Sequence, residues 1–307
     1  MNSKFDPKAI FTPPTTFKAG AVDARLSRIS GLDDIINSLA KDLHFIFQPS
    51  LTASWSAKLY KKQVPLVQIL DDFIPLILFE GDVGTGKTEV AETIGSLVAQ
   101  LYRYDVQMIK MSTQVRGTGY VGEMTTLLAQ AFDYIKVLAQ KTGAPMVLVI
   151  DEADSLLTSR STTGQHHEDK AGVNTILQHL DGLKKTKLPI AVIAISNRCG
   201  ALDPALKRRA TAVLKFERPN KDQRKALFSK LLDGLGMSDR DFEILASHSE
   251  EKKISGKGEA IPFSYADLTL RLLVPELRAA VGRDEKISTQ SLLHRLESLE
   301  PSPALVE

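Results

Sequence analysis

The run Gly81-Asp82-Val83-Gly84-Thr85-Gly86-Lys87-Thr88 follows an apolar stretch, Pro75-Leu76-Ile77-Leu78-Phe79-Glu80, and opens a segment of helical periodicity. This is G-x-x-x-x-G-K-T in a strand–loop–helix setting, the pattern of a loop that wraps a polyphosphate. Glycine lets the backbone turn tightly and aim successive N–H groups inward, and the helix N-terminus behind the loop adds partial positive charge. In this pattern Lys87 reaches the β- and γ-phosphates and the Thr88 hydroxyl ligates Mg2+. A second run, Met146-Val147-Leu148-Val149-Ile150, ends in Asp151-Glu152-Ala153-Asp154. A segment apolar at every position fits a strand covered on both faces, and acids at its C-terminal end stand where open α/β sheets bind ligands. Asp151 is expected to hold Mg2+ through water, and Glu152 to polarise an attacking water. Taken alone, Asp-Glu would serve equally well as the cap of a helix beginning near Ala153; the phosphate loop favours the chemistry.

The elements that must position these groups alternate. Strands are expected over 75–80, 106–111, 146–151, 190–196 and 212–216. Between them fall helices over 87–102, 122–140, 169–182 and 204–209. Strands alternating with helices imply a parallel sheet covered on both faces, a three-layer αβα architecture. Upstream, Asp33-Asp34 opens a helical pattern through Ile46, and a short helix is expected over Trp55–Leu66. Residues 1–28 are polar, carry Pro13-Pro14 and read as a flexible or loosely docked arm. Pro219-Asn220 breaks the alternation, and beyond it only helical patterns recur, over about 220–234, 239–248, 264–281 and 286–299. The division is therefore an arm over 1–28, a large α/β domain over 29–218 and a small all-helical domain over 219–307.

Composition excludes several classes. The net charge is only +2 with both signs interspersed, and aromatic residues make up 6%, which disfavours nucleic acid as the main partner. Cys199 is the single cysteine, so no internal disulfide or paired-cysteine metal site is available and a reducing compartment fits. The N-terminus lacks the apolar core of a secretion signal, and no apolar run is long enough to cross a membrane, so a cytoplasmic location is expected. His166-His167 lies in a Ser/Thr/Gly-rich stretch and reads as solvated loop.

Over roughly residues 29–300 the sequence resembles the AAA+ ATPases, a P-loop NTPase family with a small helical lid, several motifs agreeing in order and spacing. The resemblance implies ATP with Mg2+ as ligands. Gly31 and Leu32, within Ile29–Ile36, look like the segment lining the adenine pocket. Asp82, Val83, Gly84, Thr85, Gly86, Lys87, Thr88 and Glu89 look like the phosphate site, with Asp151 and Glu152 completing it. Asn197, after Ser196, resembles the polar residue that orients the attacking water. Leu202-Asp203-Pro204-Ala205-Leu206-Lys207-Arg208-Arg209 resembles the segment bearing the arginine finger, with Arg209 the first choice and Arg208 the second. A guanidinium there stabilises the charge spread over the γ-oxygens; in the family it comes from a neighbouring subunit, which implies a homo-hexameric ring. Gly119-Tyr120-Val121-Gly122-Glu123 resembles the pore loop of protein-translocating members, with Tyr120 and Val121 gripping an extended chain; packing at the start of the following helix is the plainer role for Tyr120.

Within the family, Leu101-Tyr102-Arg103-Tyr104 and Arg209-Ala210-Thr211-Ala212-Val213 look like the HORMA-protein remodelling ATPases. Bacterial relatives sit beside HORMA proteins and cyclic-oligonucleotide synthases in antiphage (CBASS) operons. That implies a HORMA-domain protein as substrate, opened by pulling through the pore, and signalling switched off. Pro262-Phe263-Ser264-Tyr265-Ala266-Asp267-Leu268 resembles the sensor-2 segment, with Ala266 where some members carry arginine. Two other readings stay open: a different AAA+ unfoldase or activase, similar to rubisco activase, and a nucleotide-dependent switch or scaffold with little turnover. A DNA-handling role fits least.

Overall fold

The computed structural model describes residues 5–70, 73–116, 122–154, 167–198, 202–254 and 260–304. The chain divides into two compact units. The first holds Met1–Leu26, Ile35–Glu80 and Thr88–Lys215; the second holds Ser27–Asp34, Gly81–Lys87 and Phe216–Glu307.

In the first unit, α1 (Pro7–Ile10) and β1 (Thr15–Phe17) precede α2 (Asp33–Phe47), α3 (Ser50–Tyr60) and α4 (Pro65–Ile69). The alternating core follows as β2 (Ile74–Gly81), α5 (Lys87–Tyr102), β3 (Val106–Met111), α6 (Glu123–Thr142), β4 (Met146–Ile150), α7 (His167–Thr186), β5 (Ile190–Ser196), α8 (Pro204–Arg209) and β6 (Ala210–Phe216). The six strands form one sheet in the order β1-β3-β4-β5-β2-β6. The pairs β3/β4, β4/β5 and β5/β2 are parallel, and β1 is antiparallel to β3. Every residue of β4 and β5 is buried, as their uninterrupted apolar sequences require. Helix α6 turns Leu128, Ala131, Phe132, Ile135 and Ala139 into the same core as Leu148 and Ile150, the spacing of one helical face.

All five strands expected from the sequence are present. Two expectations need correcting here. Residues 7–17 are not a loose arm. β1 pairs with β3 from Thr15↔Met108 to Phe17↔Val106, and Ile10, Phe11 and Phe17 are buried. The ring of Phe17 lies so close to Gly95 of α5 that a Cβ there would sit 2.6 Å from it. Polar composition hid three apolar residues that burial against the sheet stabilises. The short helix expected over 55–66 is instead α3 and α4. Lys61 closes α3 in the left-handed region at φ 58°, and Val64 is extended before Pro65, which cannot sit in a helix interior.

The second unit carries α9 (Lys221–Leu231), α10 (Asp239–His248), β7 (Glu251–Lys253) and β8 (Ala260–Pro262). A π-helical stretch, Asp267–Leu273, then runs into α11 (Val274–Arg283), and α12 (Thr289–Ser298) follows. Capping boxes start three helices: Asn220 with Gln223, Ser238 with Asp241, and Ser288 with Ser291. Phe228, Leu245, Phe263, Leu268, Leu272 and Leu292 are buried here. The all-helical expectation holds except for the antiparallel β7/β8 ladder, Lys252↔Ile261 at its centre. Glu-Lys-Lys has neither the β-branched content nor the alternation that signals a strand.

Candidate nucleotide site

Sheet register sets the position of the acids. Glu80 of β2 faces Ser196 of β5, and Ile150 of β4 faces Ala194. Glu80, Asp151 and Ser196-Asn197 therefore share the C-terminal edge of the sheet, where parallel sheets bind ligands. The Ala153 N–H donates to the Ile195 carbonyl at 2.7 Å, which fixes the turn after β4. In that turn Glu152 is exposed and left-handed at φ 51°, a conformation that costs a non-glycine residue about 1 kcal/mol.

Both oxygens of Asp151 are engaged. Oδ1 accepts the Glu152 N–H at 3.0 Å. Oδ2 accepts the Thr88 hydroxyl at 3.3 Å and faces Lys110 Nζ at 2.9 Å. Lys110, on β3, also reaches Glu92 of α5 at 2.9 Å, and Arg25 pairs with Glu92 and, at 4.0 Å, with Glu89. Burial alone would lower the Lys110 pKa; its bonds to Asp151 and Glu92 outweigh that and raise it. A threonine hydroxyl beside a carboxylate is a hard-oxygen donor pair suited to Mg2+.

The phosphate loop is built from close backbone contacts. A Cβ on Gly81 would lie 2.0 Å from the Phe216 carbonyl oxygen. At Gly84, φ is 76°, and a Cβ would lie 2.7 Å from Ser264 Oγ and 2.9 Å from the Ala266 methyl. Glycine is the residue that fits at both positions. The Ala266 N–H donates to the Gly84 carbonyl at 3.1 Å. Lys87, 4% exposed, donates to the carbonyls of Gly81 (3.0 Å) and Asp82 (2.5 Å) and to Thr85 Oγ1 (3.3 Å). These are neutral acceptors, so phosphate oxygens would make the stronger, charge-assisted bonds. Thr85 donates to the Asp82 carbonyl, and Val83 is exposed.

Leu32 packs its Cδ1 3.2 Å from the position of a Cβ on Gly86, and Gln223 Nε2 donates to the Gly31 carbonyl at 2.6 Å. The buried Tyr265 hydroxyl beside Gly31 has no hydrogen-bond partner among the described residues. Burial, with the Asp33 charge adding to it, pushes its pKa up to about 12.

The arginine-bearing helix α8 is capped by Asp203, which accepts the Ala205 N–H at 2.7 Å. Lys207 pairs with Glu80 at 2.5 Å, holding α8 to the end of β2. Arg208 is exposed, and Arg209 is paired with Asp181 of α7. Asn197 is partly buried beside Ser196, whose hydroxyl accepts the Arg198 N–H. Tyr120 and Val121 lie outside the described residues, as do Cys199 and His166. Sequence reasoning missed Lys110, Glu92, Arg25, Arg218 and the Glu80–Lys207 pair. Lys110 had a signal, a charge inside a mostly apolar strand; Arg218 had none beyond its place before a proline.

Residues 77–218 match the model of the ATPase family associated with various cellular activities (AAA). The chain is similar to CD-NTase-associated protein 6 of Escherichia coli strain MS 115-1, with 36% identity covering 100% of this chain and 99% of that protein. Its structure is similar to a chain of the E. coli MS115-1 HORMA:CdnC:Trip13 complex, with a TM-score of 0.87 and 36% identity over 98% of this chain and 99% of that one. It is also similar to Rhizobiales Trip13, with a TM-score of 0.72 and 30% identity over 96% of this chain and 100% of that one.

Proposed function

Because the chain belongs to the AAA family of ATPases, as a homologue of CD-NTase-associated protein 6, we propose that it uses ATP hydrolysis to open a HORMA-domain protein. End-to-end similarity to a chain taken from a HORMA:CdnC:Trip13 complex carries this reading. Opening that partner switches off signalling by the associated nucleotide synthase in a CBASS-type antiphage system. No helix among the described residues is long and apolar enough to cross a membrane, which suits work on a partner in solution.

The residues divide the work as follows. The Val83 N–H is given to Asp82 Oδ1 at 2.7 Å; the loop N–H groups from Gly84 to Lys87 and the Lys87 ammonium would hold the phosphates, and Thr88, with Asp151 through water, would hold Mg2+. Mg2+ and ATP, when bound, supply the neutralised, hydrolysable γ-phosphoryl group. Glu152 draws the proton from the attacking water and Asn197 orients that water. Gly31 and Leu32 face the adenine. Arg209 of one subunit serves the site of its neighbour in a homo-hexamer; it leaves Asp181 to do so, and Arg208 is its second candidate. Tyr120 and Val121 grip the substrate segment in the central pore.

ATP turnover with and without a candidate HORMA protein, paired with an assay of HORMA opening, tests the proposal. Stimulation by the HORMA protein and ATP-dependent opening are the expected results. Opening that needs no ATP would refute it. Tyr120→Ala is expected to lose opening; if it opens the partner as well as wild type, Tyr120 only packs.

A further inference from the structure

An acid inside a loop that binds polyanions is a liability, and this loop has one. Asp82 is only one-fifth exposed; its Oδ1 accepts the Val83 N–H at 2.7 Å, and its Oδ2 accepts Arg218 Nε at 2.8 Å and lies 2.6 Å from a terminal nitrogen of the same guanidinium. Arg218 is 7% exposed, and its two terminal nitrogens also donate to the carbonyls of Pro262 and Ser302 (2.9 Å). Ser302 then donates through N–H (3.1 Å) and Oγ (2.5 Å) to the buried Asp267. Asp267 also accepts the Ser264 N–H and hydroxyl, each at 2.9 Å. Ser264 Oγ lies against Gly84, and Ala266 holds the Gly84 carbonyl. The contacts form a closed circuit that leaves the phosphate loop at Asp82 and returns to it at Gly84.

We infer that Arg218 is a positioning residue of the ATPase: it neutralises Asp82 inside the phosphate loop and fixes the loop's shape through Pro262 and Ser302. Charge and geometry both point this way. Without the guanidinium, the Asp82 carboxylate would repel the phosphates across a poorly screened distance. With it, the loop presents nearly the field of its N–H groups and Lys87 alone. Arginine suits the task because its rigid planar fork holds a carboxylate and two carbonyls in one fixed geometry, whereas a lysine's three donors turn at the end of a flexible stem.

The inference rests on nucleotide binding at this loop, and removing each charge in turn separates the two ideas. Calorimetric binding of ADP with Mg2+, which avoids turnover, is measured for the full chain and its variants beside their melting temperatures. Arg218→Met is expected to weaken ADP binding about tenfold or more, because it removes the positive charge that offsets the Asp82 carboxylate. Asp82→Asn, which leaves the guanidinium unopposed, is expected to tighten it about two- to fivefold. The double variant Asp82→Asn/Arg218→Met is expected to return to within about threefold of wild type, since both charges are gone.

A double variant as weak as Arg218→Met would overturn the inference, as would Arg218→Met binding ADP like wild type. Should Arg218→Met fail to fold, Asp82→Asn decides alone: tightening upholds the inference and anything else overturns it. Failure of the site itself would look different: wild-type protein that binds no ADP, or Lys87→Ala that binds it undiminished.

Discussion

Two aspartates of the nucleotide motifs each hold a cation, and they hold it in opposite ways. Asp151 shares Lys110 with Glu92, and the lysine is about a quarter exposed. Asp82 holds Arg218, which is nearly buried and tied to two backbone carbonyls as well. Lys110 is a point charge on a flexible stem with a second carboxylate already in hand, so a divalent ion can take its place on Asp151 at small cost. Arg218 has no such retreat. One acid carries an exchangeable counter-charge, as would suit its proposed part in holding Mg2+ through water. The other carries a fixed one, as suits a wall of the binding loop.

Both pairs matter only if the chain binds and cleaves a nucleotide, and the largest effects test that. Glu152→Gln is expected to lower ATP turnover roughly a thousandfold while ADP still binds. If wild type were no faster than this variant, the molecule would be a switch and the exchangeable lysine would have no cycle to serve. Lys87→Ala is expected to weaken ADP binding about a hundredfold, measured by calorimetry.

A smaller effect probes the fixed side. Burial alone would raise the Asp267 pKa, but hydrogen bonds from Ser302, Ser264 and Arg271 outweigh it and hold it below the ordinary value. A depressed carboxylate stabilises the fold above its unfolded pKa of about 3.9 and loses that contribution as pH falls through the folded value. Asp267→Asn is therefore expected to cost about 2 kcal/mol in denaturant titrations at pH 7, with the difference shrinking in strong acid. A penalty that did not change with pH would mean that Arg218 is anchored by shape rather than by charge. The smallest effect belongs to the exchangeable side. Lys110→Met is expected to tighten Mn2+ binding about fivefold in the presence of ADP, followed by electron paramagnetic resonance. Weaker binding would make Lys110 a splint for Asp151 instead of a competitor.

Much of this was legible before any coordinates. The five core strands and the helices 87–102, 204–209 and 239–248 stood out because apolar runs and caps agree with the fold there. Thr88 and Asp151 were each read as Mg2+ holders from two separate motifs, and their side chains lie 3.3 Å apart. What was hidden depends on partners distant in sequence. Arg218 and Asp82 are separated by 136 positions, and Lys110 and Asp151 approach only because β3 and β4 are neighbours in the sheet. The arm was misread because three buried residues among polar ones give no periodicity, and β7 because a strand of three charged residues resembles loop.

Glu152 occupies a backbone bend that favours glycine, and it is the residue proposed to take the proton of the attacking water. Glycine at this position would relieve about 1 kcal/mol of strain. On the proposed mechanism, a screen for heat-tolerant mutants would thus be drawn to the substitution that deletes the proton acceptor, and would rank as an improvement a molecule that grips its fuel and hardly burns it.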